Sequence, residues 1–531
     1  MRLYTFLLLL ILSLPIGLLG QENEKSAYRE SEMSDSAAIK DNTPFPIQNH
    51  TRSRGMVPRN EKSYYRVEMF GSAATGDNTP FWMQNHTWGM VPLEAGNYYL
   101  RGGVFHNQKL NKNVSYSLGI DLAVSSHKAY NTFWIQQIYG AINWKSLRLS
   151  IGSREDYNSL LDPKLSTGDM ILSNNSRPSP ELKISTPDFV YIPYTRDLLY
   201  FKGDVAVGKH FDGGYHEDVA SPYGYDYMKN QLSHHKSFYF RIGNIEKLHE
   251  FQFTIGLQHH VQWGGDLYRL GHKIELPRSF KNFMWAFFAK EGDEDYLISD
   301  QLNAVGSHVG AYSARLDYLF DYSESIGFYW QHFIEDKSGI TMDNARDMLA
   351  GFQYKSKNKS PFSGLVLEYL YTKHQSGPIH FNENMSEGIK DWEKYGFGMD
   401  NYYNNTDYVH GHSYYGRSMG NPLFLSPEYN KDGRLYFKSN RIAAYHIGAE
   451  GYITPDLEYT LLGTYAETAG RYDLPYLKVR TGFGAGLDLL YHYPKIQGLD
   501  IKCSLGFNTG KFFNNDSFGA GISITKKGSI F

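Results

Sequence analysis

The sequence predicts an all-β fold: a transmembrane antiparallel β-barrel of about eighteen strands, sixteen being the next even count, with short helical plug segments. Three observations predict it. Stretches of about ten residues alternate apolar and polar side chains along most of the chain, which is the period of a strand. No run after the first residues reaches the roughly 18 apolar residues of a membrane-spanning helix. The chain is rich in Tyr (43), Phe (32) and Gly (51), yet hydrophobic residues make up only 41% of it.

Composition excludes several other classes. A length of 531 residues would ordinarily mean several domains, at roughly 150 residues each. A mean hydropathy of -0.48 excludes a bundle of transmembrane helices. The 16% aromatic content excludes a largely disordered chain. The single cysteine, Cys503, excludes a disulfide scaffold and a cysteine-based zinc site. A formal net charge of -3 gives no reason to expect nucleic acid as a partner.

Residues 1–20 read as a secretory signal peptide. Arg2 supplies the basic start, Phe6 to Leu12 the apolar run, and Pro15 and Gly17 the break before Gly20. Residues 21–61 form an N-terminal extension that holds a decayed repeat. Asp41-Asn42-Thr43-Pro44-Phe45 recurs as Asp77-Asn78-Thr79-Pro80-Phe81, and Gly55-Met56-Val57-Pro58 recurs as Gly89-Met90-Val91-Pro92. Trp82 and Trp88 belong to the second copy only. The barrel is expected over residues 62–531, opened by that second copy.

The strands are legible one by one. Val114, Tyr116, Leu118, Ile120, Leu122 and Val124 share one face, with Ser115, Ser117, Gly119, Asp121 and Ala123 on the other. The same split recurs near Leu147, Phe238, Phe251, Phe483 and Phe518. A soluble sandwich would share this pattern, its apolar face being the core. Three cues favour a barrel whose apolar face meets lipid. The strands are about 9–11 residues long, as a tilted crossing requires. Tyr98, Tyr99, Tyr491 and Tyr493 crowd strand ends, as interfacial girdles do. Phe531 ends the chain after an alternating strand, as in outer-membrane barrels. Strands are expected to start near residues 64, 98, 114, 133, 147, 181, 198, 238, 250, 305, 325, 347, 364, 442, 457, 479, 500 and 517, with the signal at 181 the weakest. Short turns should face the periplasm and long connections the outside.

Inward positions on this pattern include the cations Arg66, Arg101, Arg148, Arg154, Lys202, Arg241 and Arg315. They also include Glu68, Asp121, Asp204, Asp317, Glu368 and Asp488. Such a lumen is laced by ion pairs, since buried charges need partners. A basic strip for an anionic sugar chain is the other reading.

Two stretches do not read as strands. Residues 156–179 set Leu160, Leu161, Met170, Ile171 and Leu172 among polar residues and suit an inward plug. Residues 280–290 read as one short helix with an aromatic side, packed inside or beneath the barrel, or else lying at the membrane interface. The longest connection, His374 to Asn440, contains Tyr402, Tyr403, Tyr408, Tyr414, Tyr415, Arg417 and Asn421. Tyrosine faces stack on sugar rings, and Arg and Asn bond hydroxyls and carboxylates. An outer loop packed by its own tyrosines fits the spacing equally well.

Catalytic and metal motifs are missing. There is no HExxH or Gly-rich phosphate loop. His259 and His260 point to opposite faces of a strand, and His410 with His412 lacks a third ligand. No metal site, cofactor or enzymatic activity is therefore expected.

The loop Tyr408-Val409-His410-Gly411-His412-Ser413-Tyr414-Tyr415-Gly416-Arg417-Ser418-Met419-Gly420-Asn421 resembles a motif of the capsule assembly Wzi family. So do Ser173-Asn174-Asn175-Ser176-Arg177-Pro178, Ile184-Ser185-Thr186-Pro187, Gln262-Trp263-Gly264-Gly265 and Glu368-Tyr369, which are similar to its Bacteroidota-like branch. The resemblance covers most of the chain from about Tyr64. It implies an 18-stranded outer-membrane barrel with a helical periplasmic plug in a Gram-negative cell. It also implies a lectin-like role without catalysis: binding and retaining capsular or exopolysaccharide at the cell surface. Tyr414, Tyr415 and Arg417 carry over as binding residues, with Tyr402, Tyr403, Tyr408 and Asn421 as neighbours. The implied partners are the polysaccharide, outer-membrane lipid and the capsule-export machinery. The N-terminal region departs from the family, having a strand-like repeat where enterobacterial members have a helical segment. An oligosaccharide transport pore is the alternative function, and an outer-membrane hydrolase a more distant one.

Overall fold

The computed structural model describes residues 63–126, 133–243, 250–294, 297, 300, 304–320, 323–375, 400–514 and 516–530. The expected signal peptide, the N-terminal extension with the first repeat copy, and Phe531 lie outside the described residues.

The chain lays down β1 (Ser63–Ala74), β2 (Asn97–Lys109), β3 (Val114–Ser125), β4 (Phe133–Trp144), β5 (Leu147–Ser153), β6 (Glu181–Tyr191) and β7 (Leu199–Lys209). Next come β8 (Tyr227–Lys229), β9 (Leu232–Ile242), β10 (Phe251–Trp263), β11 (Gly265–Arg269), β12 (His272–Leu276), β13 (Ser307–Leu319), β14 (Glu324–Ile334), β15 (Met348–Ser356) and β16 (Gly364–Tyr371). Last are β17 (Ser413–Tyr414), β18 (Arg417–Ser418), β19 (Ile442–Thr454), β20 (Leu457–Gly470), β21 (Pro475–His492), β22 (Leu499–Gly510) and β23 (Ser517–Ser529). The helices are short: α1 (Phe81–Gln84), α2 (Gly213–Ala220), α3 (Phe280–Phe287) and α4 (Lys337–Ile340).

Eighteen of the strands make one sheet in which each pairs antiparallel with its neighbours along the chain. The sheet closes where β1 pairs with β23, from Tyr64↔Ser529 to Ala74↔Gly519. Closure removes the free edges that lipid could not satisfy. The smaller sheets, β12-β11-β8 and the hairpin β17–β18, belong to connections. No helix among the described residues is long and apolar enough to cross a membrane, so the strands do the crossing.

Register confirms the two faces. Leu118, Ile120, Ile151, Leu182, Ile255, Leu316 and Ile522 point out and are exposed, forming the lipid-facing band of an outer-membrane barrel. Asp121, Lys183, Ser237 and Arg315 point in and are buried. Connections beside the first residue of β1 are short, such as 110–113, 145–146 and 455–456; those at the other end are long. The short end is periplasmic and the long end faces outward. Each expected strand is present. The weak signal at residue 181 is β6, whose alternation fails at an irregular register between Thr186 and Val190 that includes Pro187. The strand expected at 238 begins at Leu232, because His234 and Lys236 break the apolar pattern of its outward face.

The lumen is filled from outside. Residues 75–96, 154–180 and 400–441 fold back from the outer end into the barrel. Wall glycines make room for them. A Cβ on Gly486 would lie 2.7 Å from the Trp82 Cβ, and one on Gly448 would lie 2.3 Å from the Leu165 carbonyl oxygen. Inward polar side chains then tie the plug to the wall. The Trp82 indole donates to Thr464 Oγ1 at 3.1 Å. Glu368 accepts from Ser166 Oγ at 2.6 Å, Thr167 N at 2.7 Å and the Tyr329 hydroxyl at 2.6 Å. Asp169 of the plug accepts from Gln258 at 2.9 Å and Gln331 at 2.8 Å. Arg315 Nη1 donates to the Leu160 carbonyl at 3.0 Å. Residues 156–179 thus fold inward as their composition implied. The second repeat copy serves the plug: the barrel is opened by β1, and residues 77–92 follow it as an inward loop around Trp82.

Two expectations about helices need correction. The plug described here comes from outward loops, not from a periplasmic helical segment. Helix α3 lies neither inside nor beneath the barrel. Its Phe283 and Phe287 rings pack on His234, and Phe283 also packs on Trp263. Both wall residues share the outward face with Phe238, Phe240, Ile255 and Leu257. Lumen polarity is matched partly from wall to wall and partly by the plug, and α3 packs on the outward face of the wall.

Glu368→Ala strips one acceptor from three buried donors. It should loosen the plug by about 2–4 kcal/mol while the barrel itself stays closed. Limited proteolysis within 154–180 should speed up, with the heat-modifiable mobility of the folded barrel unchanged.

Candidate functional site

The lumen charges fall where the sequence put them, all pointing inward, and they divide into two groups. Carboxylate-paired cations come first. Arg66 meets Asp121 at 2.5 Å, and Arg101 bonds both Asp121 and Glu155, the latter at 2.9 Å. Arg315 meets Asp317 at 2.7 Å. His235 joins Asp204 at 2.5 Å, and Lys183 joins Asp156 at 3.1 Å and Glu181 at 3.0 Å. Glu68 accepts from the Tyr99 hydroxyl at 2.6 Å, and Asp488 from Ser504 at 2.5 Å with Lys502 at 3.4 Å. The second group rests on rings and amides. Arg154 lies 4.8 Å from the Tyr139 ring, Lys202 5.9 Å from Tyr239 and Arg241 3.5 Å from Phe189. Arg148 donates to Asn143 at 2.8 Å. A cavity of about 90 Å³ remains beside Arg154, Asp156, Lys183 and His235. That volume is room for a few waters.

The aromatic connection has a defined build. Tyr415 (φ 51°) and Gly416 (φ 74°) form the two-residue turn of the hairpin β17–β18. Positive φ at both positions is the geometry of a tight hairpin turn. A Cβ on Gly416 would lie 2.2 Å from the Tyr215 hydroxyl, so glycine is required there.

Six of the seven expected sugar-binding residues are buried: Tyr402, Tyr403, Tyr408, Tyr414, Arg417 and Asn421. They hold the plug together. The Tyr402 hydroxyl donates to Asp347 at 2.7 Å and accepts from Asn344 at 2.6 Å. The Tyr403 hydroxyl donates to the Met170 carbonyl and accepts from Asn421 N at 3.0 Å. Asn421 donates to Thr167 Oγ1 at 3.0 Å and to the Gly168 carbonyl at 2.8 Å. Arg417 is wholly enclosed, beside Glu428 at 3.0 Å and bonded to the Val91 carbonyl. Tyr408 packs against Met228, Leu267 and Leu276, and Tyr414 against the His210 ring at 4.9 Å. Tyr415 is half-buried at the hairpin tip, its hydroxyl on the Phe211 carbonyl at 3.1 Å and the Arg177 guanidinium 4.8 Å from its ring.

The accessible aromatics are ones the sequence did not single out. Around Tyr415 stand Tyr215, 6.3 Å ring to ring, and the exposed Phe211. A second group stacks Tyr223 on Tyr225 at 5.9 Å. Arg434 lies 3.6 Å from the Tyr225 ring and 5.7 Å from Tyr436, and Arg471 lies 4.4 Å from Tyr436. Arg471 is buried and paired with Asp473 at 2.6 Å, while the stacked guanidinium of Arg434 can offer its edge donors to a carboxylate or vicinal hydroxyls. The dense run Tyr223-Gly224-Tyr225-Asp226-Tyr227 was the available signal.

Histidines line the plug. His412 Nε2 meets the Ile171 carbonyl at 2.6 Å, and His410 Nε2 meets Gln262 Oε1 at 2.6 Å. His216 and Asp212 sit 3.1 Å apart. No group of three or more metal-binding side chains in suitable geometry occurs among the described residues.

No family model matches this sequence, and no curated protein matches it. The solved structures show what the geometry is: a closed outer-membrane barrel. A structure titled as Wzi, an outer-membrane protein involved in group 1 capsule assembly in Escherichia coli and a carbohydrate-binding β-barrel, aligns with a TM-score of 0.51. The identity is 15%, over 86% of this chain and 83% of that one. Pseudomonas aeruginosa OprD aligns over 89% of this chain and 96% of its own, at 9% identity and a TM-score of 0.42. Acinetobacter baumannii OccAB4 aligns over 89% and 99%, at 10% identity and a TM-score of 0.42.

Burial pushes the His412 imidazole down to about 4, so the plug holds it neutral. Its stabilisation is complete above the unfolded value of about 6.5 and is lost as pH falls toward about 4. Burial pushes Asp347 up to about 7 and Glu428 up to about 6, and these acids act in the opposite sense, favouring the fold on acidification. His412→Gln isolates the histidine. Amide protection factors in 401–421, with the intrinsic slowing of exchange at lower pH divided out, should fall more between pH 7 and pH 5 in the native chain than in the variant.

Proposed function

We propose that this protein is a non-catalytic outer-membrane barrel whose outward face binds a capsular or exopolysaccharide and retains it at the cell surface. One observation carries the reading. The protein's own outward loops fold into the lumen and bond its wall, and the same loops present half-exposed tyrosines and the ring-stacked Arg434 to the outside. A closed lumen favours holding a ligand over conducting one. Tyr faces with adjacent guanidinium groups suit pyranose rings that bear acidic or vicinal hydroxyl groups. The fold likeness to a barrel titled as carbohydrate-binding and involved in capsule assembly supports the same reading.

The buried residues then divide the labour with the exposed ones. Tyr402, Tyr403, Tyr408, Tyr414, Arg417 and Asn421 position the outer surface, while Tyr415, Tyr215, Tyr225 and Arg434 meet the ligand. No residue is assigned a catalytic role, and no cofactor or metal is invoked.

Tyr415→Ala and Arg434→Ala should each weaken binding of purified surface polysaccharide about tenfold, or about 1.4 kcal/mol, without changing the thermal transition of the barrel. Cells lacking the protein should release polysaccharide into the medium while making it at the normal rate. Unaltered cell-bound polysaccharide in such cells contradicts the proposal.

A further inference from the structure

Beyond the sugar-binding face, the outer wall carries a feature that the role leaves unused. On a lipid-facing wall, outward residues should be apolar. At the outer ends of β9, β10 and β13 they are not. His234, Lys236, His259 and His308 all point outward there, and His259 Nε2 and His308 Nδ1 lie 2.9 Å apart. Helix α3 packs over His234 and Lys236. Its Phe287 ring lies 4.7 Å from His234, and Lys236 reaches the same ring at 3.9 Å and the Phe287 carbonyl at the end of the helix. Val261, Trp263 and Ala286 are buried together between helix and wall.

The helix has a firm start and two further faces. Ser279 and Asn282 form a reciprocal cap at its N-terminus. Phe283 and Phe287 turn inward to the wall, while Phe280, 76% exposed, and Phe288 face away from the protein. Lys281 and Lys290 flank the Trp285 indole at 4.4 and 4.6 Å. Aromatic rings with adjacent lysines on a short amphipathic helix are the composition of an interfacial anchor. The helix sits at the outer ends of its strands, as do the exposed Tyr98 and Phe133 elsewhere on the barrel. Its free face therefore continues the band that meets lipid.

We propose that α3 is a membrane-surface anchor lying in the outer leaflet, with Phe280 and Phe288 entering the lipid and Lys281, Trp285 and Lys290 at the headgroups. The occupant of its free face is lipid, not a second copy of the chain. The helix also keeps the polar His234 and Lys236 side chains out of contact with acyl chains. This inference rests on the barrel's membrane placement and stands or falls independently of sugar binding.

The test uses the full chain in vesicles of anionic phospholipid. In a Cys503→Ser background, single cysteines replace Phe280, the lipid-facing Ile151 and the water-exposed Asp218, and each carries a spin label. Collision with dissolved oxygen is compared with collision with a water-soluble nickel chelate. The Phe280 label should follow Ile151, with an oxygen-to-nickel ratio several-fold above that of Asp218. A ratio equal to that of Asp218 overturns the proposal, and so does a dipolar coupling between Phe280 labels on two copies. The unlabelled native chain gives a second readout. Its fluorescence minus that of Trp285→Phe should be quenched by lipid brominated near the headgroup, and absence of that quenching also overturns it.

Discussion

The lumen of a barrel this wide sets the constraint on which the rest depends. Inward-facing polar side chains, desolvated inside the wall, must find partners or cost several kilocalories each. In this protein some partners are neighbouring wall residues, as in Arg66–Asp121 and Arg315–Asp317, and others come from the outer loops. Glu368 on β16 is satisfied by Ser166 and Thr167 of the plug, His446 on β19 by the Leu165 carbonyl at 2.8 Å, and Gln331 on β14 by Asp169. The contacts run in both directions, so wall and plug specify each other. Small residues at Gly448 and Gly486 let the plug backbone approach the wall closely enough for those bonds to form.

Plugging also explains how charge is spread. Where two strands face one another with opposite signs, as at Arg66, Arg101 and Asp121, the pairs close on themselves. Arg154, Lys202 and Arg241 lie over aromatic rings, which gives a cation an attractive surface without a second charge. The balance of signs that the sequence displays is therefore local. Ion pairs and aromatic faces support the lumen cations side by side: Lys202 on β7 and Arg241 on β9 lie over rings, and the same two strands carry the paired Asp204 and His235.

Strands were read from the sequence with little loss because period two survives wherever one face meets lipid. Where it failed, a third object intervened. β6 carries a proline and an irregular register, and the outer end of β9 is polar because α3, not lipid, covers it. The binding residues were harder to place. A tyrosine that stacks on sugar and a tyrosine that fills a plug look alike in sequence, and only the fold separates the buried Tyr402, Tyr403 and Tyr408 from the half-exposed Tyr415. Tyr225 and Arg434 escaped notice because about 210 residues separate them and only the folded outer loops bring them together.

The central claim is that the lumen stays shut while the outer face works. Single-channel recording of the purified barrel in a planar bilayer at neutral pH tests it most directly. The account predicts a silent baseline that remains silent when surface polysaccharide is added on the outer side. Steady openings of porin size in the native chain would contradict it.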